Sequence, residues 1–366
     1  MIISQEQSSV NALCQPGKNK WLTLPGQAGY ARGQTKGGLG MQEQIVALLT
    51  QANKEGFRYI SGGDIAKELG VTRAAIWKYI ESIRKEGGII EAVPRHGYHL
   101  VNPEDLLLAG AVEVKTETIG TKYVYLSEAD STNSEAKRHL RQQGSLADGL
   151  VVVADCQTAG KGRMGRGWHS VPGKGIYFSV VLFPEDLPMS KASLLTPLTA
   201  VAVYEALVKV TGLPIELKWP NDLMLRGRKL GGILLEASGE TDRLRYAVIG
   251  IGINVNLTKQ DIPDILSDIA TSIYIEGGKT VPRRHLLQEM LGFLDTQYGK
   301  FLTCGPEPML TEYRRLCSTL GQRIRFIWRD ETYSGLAIGI HSDGGLMVQT
   351  DSGESLILRS GDVHCL

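Results

Sequence analysis

The sequence predicts a multidomain α+β protein: a winged helix-turn-helix over residues 41–103, a central mixed α+β domain over 119–317 and a small SH3-like β-barrel over 318–366. Three observations lead there. Two apolar helix patterns joined by a Gly-containing turn are followed by a short hairpin. Strands and helices then mix without the regular alternation of a parallel βαβ sheet. The C-terminal end reads as short alternating strands broken by Gly-rich turns.

Residues 1–40 hold Gln, Gly and Ser with scattered Lys and no sustained apolar period, a composition expected to stay disordered. Met41 opens a helical pattern abruptly, so translation is expected to start there, the preceding stretch being upstream sequence read in frame or a dispensable extension. Ile45, Leu48 and Leu49 form one face of the first helix. Ser61 precedes a helix over Gly62–Leu69 that Gly70 closes. Thr72 caps a helix over Arg73–Lys85, with Ala75, Ile76, Ile80 and Ile83 inward and Arg73, Ala74, Trp77, Lys78 and Glu81 nearer solvent. Ile89–Val93 and Tyr98–Val101 read as a hairpin with Pro94, Arg95, His96 and Gly97 at its tip, a wing. The second helix of such a pair enters a DNA major groove, and Arg73, Lys78 and Arg95 are the cations placed to meet phosphates. Met41–Leu100 carries eight Lys/Arg against seven Asp/Glu, so weak charge per protomer fits a protein that binds DNA as a dimer on two half-sites. An interaction module of the same shape stays open.

In the central block, strands are expected near Tyr123–Leu126, Leu150–Ala154, Ile176–Leu182, Ile215–Trp219, Leu223–Leu225, Gly232–Glu236 and Tyr246–Asn254. Helices are expected near Ser134–Gln143, Lys191–Thr211, Arg283–Leu302 and Pro308–Leu316, giving a sheet with helices on one side. Strands over Arg323–Arg329, Glu331–Ile340, Leu346–Thr350 and Ser355–Arg359 make the barrel, with turns at Asp343-Gly344-Gly345 and Asp351-Ser352-Gly353.

A chain of 366 residues, 42% hydrophobic and 22% charged, is an ordinary globular composition with ample core. A net charge of +1 argues against nucleic-acid binding by bulk charge, so any such function is local. Five cysteines, odd in number and without a Cys-x-x-Cys pair, favour a reducing cytoplasm over a disulfide framework. No apolar run is read as approaching the length of a membrane span. The histidines form no ligand-spaced set, so no metal site is expected from side chains alone.

Four clusters carry chemistry. Gly160-Lys161-Gly162-Arg163-Met164-Gly165-Arg166-Gly167-Trp168 follows the apolar run Leu150–Val153. Its glycines let backbone approach a ligand while Lys161, Arg163 and Arg166 supply charge-assisted donors to an anion. Its spacing matches G-x-G-x-x-G, but that fingerprint needs a helix opening at the loop, and Pro172 and Gly173 follow instead. A flexible basic surface loop has the same composition. Lys218-Trp219-Pro220-Asn221-Asp222 leads into a hairpin turning at Gly227 that presents Lys229 among small and apolar neighbours, where a solvated turn lysine is the plainer reading. Ser131-Thr132-Asn133 opens a helix, with Thr132 and Glu135 spaced as a capping box. Gly250 and Gly252 alternate on one face of a strand ending at Asn254, as where a ligand or backbone packs closely.

Together and in this order, these residues resemble the bifunctional, BirA-type biotin–protein ligases, which are also biotin operon repressors. The resemblance runs from Met41 to the C-terminus, and its motifs match in sequence and spacing. One departure concerns Lys161, where members often carry Arg: the charge is kept, but the planar fork for bidentate anion recognition is lost.

The resemblance implies a two-step reaction. Biotin and ATP, with Mg²⁺, give biotinyl-5′-AMP and pyrophosphate; a lysine of the biotin carboxyl carrier protein of acetyl-CoA carboxylase then takes the biotin as an amide. Joining two anions calls for fixed cations more than for a protein nucleophile. Lys229 is expected at the biotin carboxylate and then the α-phosphate, and Arg163 and Lys161, with Gly162, at the junction between them. Gln157 donates from just before the loop, and Ser131, Thr132 and Asn133 hydrogen-bond the ureido ring. Trp168 covers the adenine side, while Arg166, Asn221, Asp222 and Asn254 stand on the ATP side. In repressor members the adenylate orders such loops and promotes a homodimer through the central sheet that binds operator DNA, so carrier and second protomer compete for one surface. Three rivals remain: a lipoate–protein ligase, a transcription regulator with weakened ligase activity, and a ligase whose helix-turn-helix serves only structure.

Overall fold

The computed structural model describes residues 40–366 apart from 57–58, 86–87, 102–104, 185–186, 241 and 329–330, so the expected disordered extension, Gly40 excepted, lies outside the described residues. Helix α1 (Met41–Lys54) buries Ile45, Val46, Leu48 and Leu49. Helix α2 (Gly62–Leu69) starts where Ser61 Oγ accepts from Asp64 N at 3.0 Å, and ends at Gly70, whose φ of 67° an L side chain rarely adopts. Helix α3 (Arg73–Lys85) starts where Thr72 Oγ1 accepts from Ala75 N at 3.2 Å, and it buries Ile76, Ile80 and Ile83. Strands β1 (Ile90–Val93) and β2 (Gly97–Leu100) form the antiparallel wing, with Arg95 at its tip. Arg73, Trp77, Lys78 and Arg95 are all exposed, as expected.

The central domain runs β3 (Lys122–Ala129), α4 (Thr132–Gln143), β4 (Leu150–Gln157), a small hairpin of β5 (Gly160–Lys161) and β6 (Gly167–Trp168), β7 (Gly175–Leu182) and α5 (Leu195–Thr211). It continues through β8 (Ile215–Lys218), β9 (Asp222–Leu225), β10 (Arg228–Gly239), β11 (Leu244–Asn254), α6 (Ile273–Gly277), α7 (Arg283–Cys304) and α8 (Glu307–Leu316). Seven strands form one sheet in the order β3-β4-β7-β11-β10-β9-β8, with β3 and β4 parallel and the other pairs antiparallel.

Helices cover both faces of this sheet, not one. Helices α5, α7 and α8 pack with the face carrying Val151, Val153, Val180 and Ile249. Helix α4 packs on the other face, against Val152, Val181 and Val248. The reason lies in Leu150-Val151-Val152-Val153: side chains alternate across a strand, so an unbroken apolar run needs cover on both sides.

The expectation about apolar runs also needs correction. A 3₁₀ turn and α5 together, Met189–Thr211, are long and apolar enough to cross a membrane by length and composition. Most of the stretch is buried within the fold, packed against α7 and strands of the sheet. It is a core helix, apolar on nearly every side because it has neighbours on nearly every side.

The C-terminal segment is a five-stranded antiparallel sheet, in keeping with the expected SH3-like barrel: β12 (Arg323–Trp328), β13 (Glu331–Ile340), β14 (Leu346–Thr350), β15 (Ser355–Leu358) and β16 (Val363–Cys365), in the order β15-β14-β13-β12-β16. Strand β16 was not expected, being too short to show alternation. It pairs with β12 through Ile324, Arg325 and Phe326. Trp219 joins this sheet to the central domain, its indole donating to Gly344 O and its backbone N–H to Thr319 Oγ1, each at 3.1 Å.

Candidate active site

The face of the sheet beneath the start of α4 carries an open cleft. Glycines thin its floor. A Cβ on Gly250 would lie 2.4 Å from Asn133 Oδ1, and one on Gly252 would lie 2.7 Å from the Trp168 ring. What packs closely on this strand is therefore the chain's own Asn133 and Trp168, held where a ligand would meet them. The wall is the glycine loop, folded as the β5–β6 hairpin around a short 3₁₀ turn, so no helix opens there and the dinucleotide reading falls.

Ser131, Thr132, Asn133, Gln157, Lys161, Gly162, Arg163, Arg166, Trp168, Asn221, Asp222 and Lys229 all line this one cleft. Asn254 does not. It is buried, donates to Thr271 O at 2.9 Å and borders an adjoining cleft, which shares Arg166, Trp168, Asp222 and Lys229 with the first. Trp168 thus stands between the two spaces.

One half of the cleft is cationic. The β9–β10 hairpin projects Lys229, whose ammonium lies 2.6 Å from Asp222 Oδ1 and 5.8 Å from the centre of the Trp168 ring. The backbone of Lys229 is fixed on both sides, donating to Ile269 O at 2.7 Å and accepting from Thr271 N at 2.9 Å. Arg163 donates to Asn221 Oδ1 at 3.2 Å; burial pulls its pKa below the ordinary guanidinium value, against the opposing pull of Asp362 and Asp222. Arg166 pairs with Asp362, and Lys161 donates to Ser134 Oγ at 2.9 Å. Asp362 comes from the turn between β15 and β16 of the C-terminal segment, and no sequence signal marks it.

The other half is neutral and polar. Ser131, Thr132 and Asn133 are buried at the start of α4. The expected capping box does not form. The N-cap is Ser131, Glu135 pairs with Arg138 and His139, and Thr132 Oγ1 turns inward, 3.2 Å from Gln157 Oε1 and 2.8 Å from Ser179 Oγ. Gln157 Oε1 also accepts from Thr132 N at 2.8 Å, so its amide NH₂ end is the donor available to a ligand. Asn133 donates to Glu236 Oε2 at 2.8 Å and to Leu234 O at 3.3 Å. Ser179 and Glu236 escaped the sequence reading. The signal for Ser179 was present: it is the one hydroxyl within an otherwise apolar strand, Ile176–Leu182, apart from the phenol of Tyr177.

Behind the loop, Asp155 Oδ2 accepts from Gly173 N at 2.9 Å, and Tyr177 Oη accepts from Val171 N at 3.0 Å. Asp155 also pairs at 2.7 Å with Arg283, whose guanidinium is buried and reaches Asp105 at 3.1 Å. Among the described residues, no group of three or more His, Cys, Asp or Glu could hold a metal ion.

Three segments of the chain match known protein families. Residues 42–99 match an HTH domain, residues 126–254 the Biotin/lipoate A/B protein ligase family, and residues 319–364 the Biotin protein ligase C terminal domain. The bifunctional ligase/repressor BirA of Bacillus subtilis is 38% identical over 315 residues, covering 86% of this chain and 95% of that protein. The Escherichia coli BirA is 31% identical over 325 residues, covering 87% and 97%. The structure of the biotin protein ligase from Aquifex aeolicus in complex with biotin and ATP superposes with a TM-score of 0.57 at 29% identity, over 67% of this chain and 99% of that one. With its helix-turn-helix, its cation-lined cleft and its C-terminal sheet in this order, the chain belongs to the BirA family of bifunctional ligase/repressors.

Proposed function

We propose that the chain is an ATP-dependent biotin–protein ligase of the cytoplasm that also acts as a biotin-responsive repressor of the biotin operon. The observation that carries this reading is one cleft with a neutral hydrogen-bonding end at Ser131, Thr132, Asn133 and Gln157, and a cationic end at Lys161, Arg163, Arg166 and Lys229. Biotin has the same polarity, a neutral ureido ring at one end and a carboxylate at the other.

In the first step a carboxylate oxygen attacks the α-phosphorus of ATP and pyrophosphate leaves. Both reactants are anions, so the barrier falls by as much as fixed cations stabilise the charge at their junction. Lys229, now paired with Asp222, turns its ammonium from Asp222 to the biotin carboxylate and then to the α-phosphate, stabilising the charge on each. Arg163, Lys161 and the backbone at Gly162 hold the junction, and Trp168 shields the adenine side, with Arg166 beside it. Asp222, once Lys229 has turned to the ligand, and Asn221 would be the oxygens on hand for a magnesium ion, which would offset phosphate charge, while Asn254 borders the nucleotide space. In the second step the amine of a carrier lysine attacks the mixed anhydride, AMP leaves and an amide forms. The biotin carboxyl carrier protein of acetyl-CoA carboxylase is that partner, and a ligand-promoted homodimer binds operator DNA through Arg73, Lys78 and Arg95.

The test is incubation with Mg-ATP and labelled biotin or lipoate, followed by separation of the adenylates. Biotinyl-AMP is expected; lipoyl-AMP in its place, or no adenylate, overturns the ligase reading. Selection of genomic fragments at low salt with biotin and ATP is expected to recover a two-fold-symmetric site, and recovery of none would leave the helix-turn-helix a structural module.

A further inference from the structure

Resting on the placement of the ureido ring beside Thr132, we infer that Ser179 and Glu236 fix the direction of the Thr132 hydroxyl, so that the cleft accepts a ring N–H and rejects a ring that offers none. Glu236 Oε2 and Leu234 O can only accept, so the end of the Asn133 amide that faces them at 2.8 and 3.3 Å is its NH₂ group. That turns Asn133 Oδ1 onto Ser179 Oγ, 2.6 Å away, over Gly250, where a Cβ would leave no room for it.

Ser179 Oγ also lies 2.8 Å from Thr132 Oγ1, but a hydroxyl carries one proton. Asn133 Oδ1 can only accept, so Ser179 donates there and offers Thr132 a lone pair. The other neighbour of the Thr132 hydroxyl, Gln157 Oε1 at 3.2 Å, is an acceptor too, held so by the Thr132 N–H. The Thr132 proton therefore points inward, and only lone-pair density faces the cleft. Ser179, Asn133 and Thr132 are 0%, 3% and 4% exposed, so water cannot reset the chain. Burial works against the Glu236 charge, but hydrogen bonds from Lys137 and Asn133 outweigh it and hold the carboxyl below its ordinary range. Glu236 stays an acceptor at neutral pH. Ser179 and Glu236 are positioning residues that act through Asn133 and Thr132.

The experiment measures adenylate formation by the full chain with biotin and with the two cyclic carbamates in which one or the other ureido N–H is replaced by oxygen. For the unsubstituted chain, KM for one carbamate should exceed that for biotin by about 100-fold or more, because a site built around a ligand N–H is left with an unpaired buried acceptor. In Ser179→Ala, KM for biotin should rise roughly tenfold, the worth of one net hydrogen bond, with kcat within about twofold, and the preference over that carbamate should shrink to about tenfold. Ser179→Thr keeps the hydroxyl and should restore the preference. Glu236→Gln can itself donate, lets the Asn133 amide reverse, and should reproduce the Ser179→Ala pattern without disturbing the core. The inference is overturned if both variants keep the parent preference, or if their loss falls on kcat with KM unchanged. A parent chain that adenylates biotin and both carbamates equally well overturns this inference alone; one that forms no biotinyl-AMP overturns the ligase reading and this inference with it.

Discussion

Removing the Lys229 ammonium is the perturbation that bears most directly on the reaction. The cleft holds four cations, Lys161, Arg163, Arg166 and Lys229, against two carboxylates, Asp222 and Asp362, a surplus of two charges that the substitution halves. It also takes from Asp222 the ammonium that now lies 2.6 Å away, its nearest cation. Lys229→Met is the cleaner variant, since its unbranched stem keeps the contacts with Gly232 and Trp168 while losing the charge. Loss of one aimed donor costs about 2.7–4 kcal/mol, or about 10²–10³ in rate. The assay is single-turnover formation of biotinyl-AMP at saturating biotin and ATP, with Lys229→Arg as the charge-preserving control. If Lys229→Met stays within about threefold of the parent rate, far short of the donor loss, then Lys229 is not the cation at the junction and the electrostatic account is wrong.

Arg163→Gly should loosen the grip on the adenylate more than it slows its formation, so added lysine-rich protein becomes labelled non-selectively; intact adenylate formation with no extra labelling counts against the role of Arg163. Arg73→Ala with Lys78→Ala should abolish operator binding, lower the salt slope of any residual binding by about 0.9 per lost phosphate contact, and leave carrier biotinylation unaltered. Arg283→Ala removes a buried guanidinium and leaves Asp155 and the more exposed Asp105 without it, so it should cost about 1.5–3 kcal/mol in denaturant unfolding, the worth of hydrogen bonds to charged groups, whereas a loss below about 0.5 kcal/mol would mark the pair as dispensable. Asp261, hydrogen-bonded by Thr258 and paired with Lys174, has its pKa lowered from 3.8 to about 2. A depressed folded-state pKa stabilises above the unfolded value and fades as pH falls through the folded one, so Asp261→Asn should flatten the stability profile between pH 3.8 and about 2 and leave its shape above that window unchanged.

Much of the fold was legible because it is local. Caps at Ser61 and Thr72, the αL glycine at Gly70 and the turn at Gly227 are decided by residues within one turn of each other, and they stand where the sequence places them. The capping box at Thr132 and Glu135 failed although its spacing was correct. Gln157 and Ser179, distant in sequence, compete for the Thr132 hydroxyl and win it. The placing of helices on one face of the sheet failed for a related reason: the pattern of a strand says that both faces are covered, but not by which element.

By itself, then, the sequence determined the elements, the glycines that thin the cleft floor, the cations of the loop and the presence of Lys229 on a hairpin, since each follows from short-range sterics and spacing. The tertiary structure decided which of these groups meet. Ser179 reaches Asn133 across 46 residues, Asp105 reaches Arg283 across 178, and Asp362 reaches Arg166 across 196. Those pairings carry the orientation and charge balance of the site, and they escape the sequence because only packing of the whole sheet pays the entropy of closing such long loops and brings their ends together.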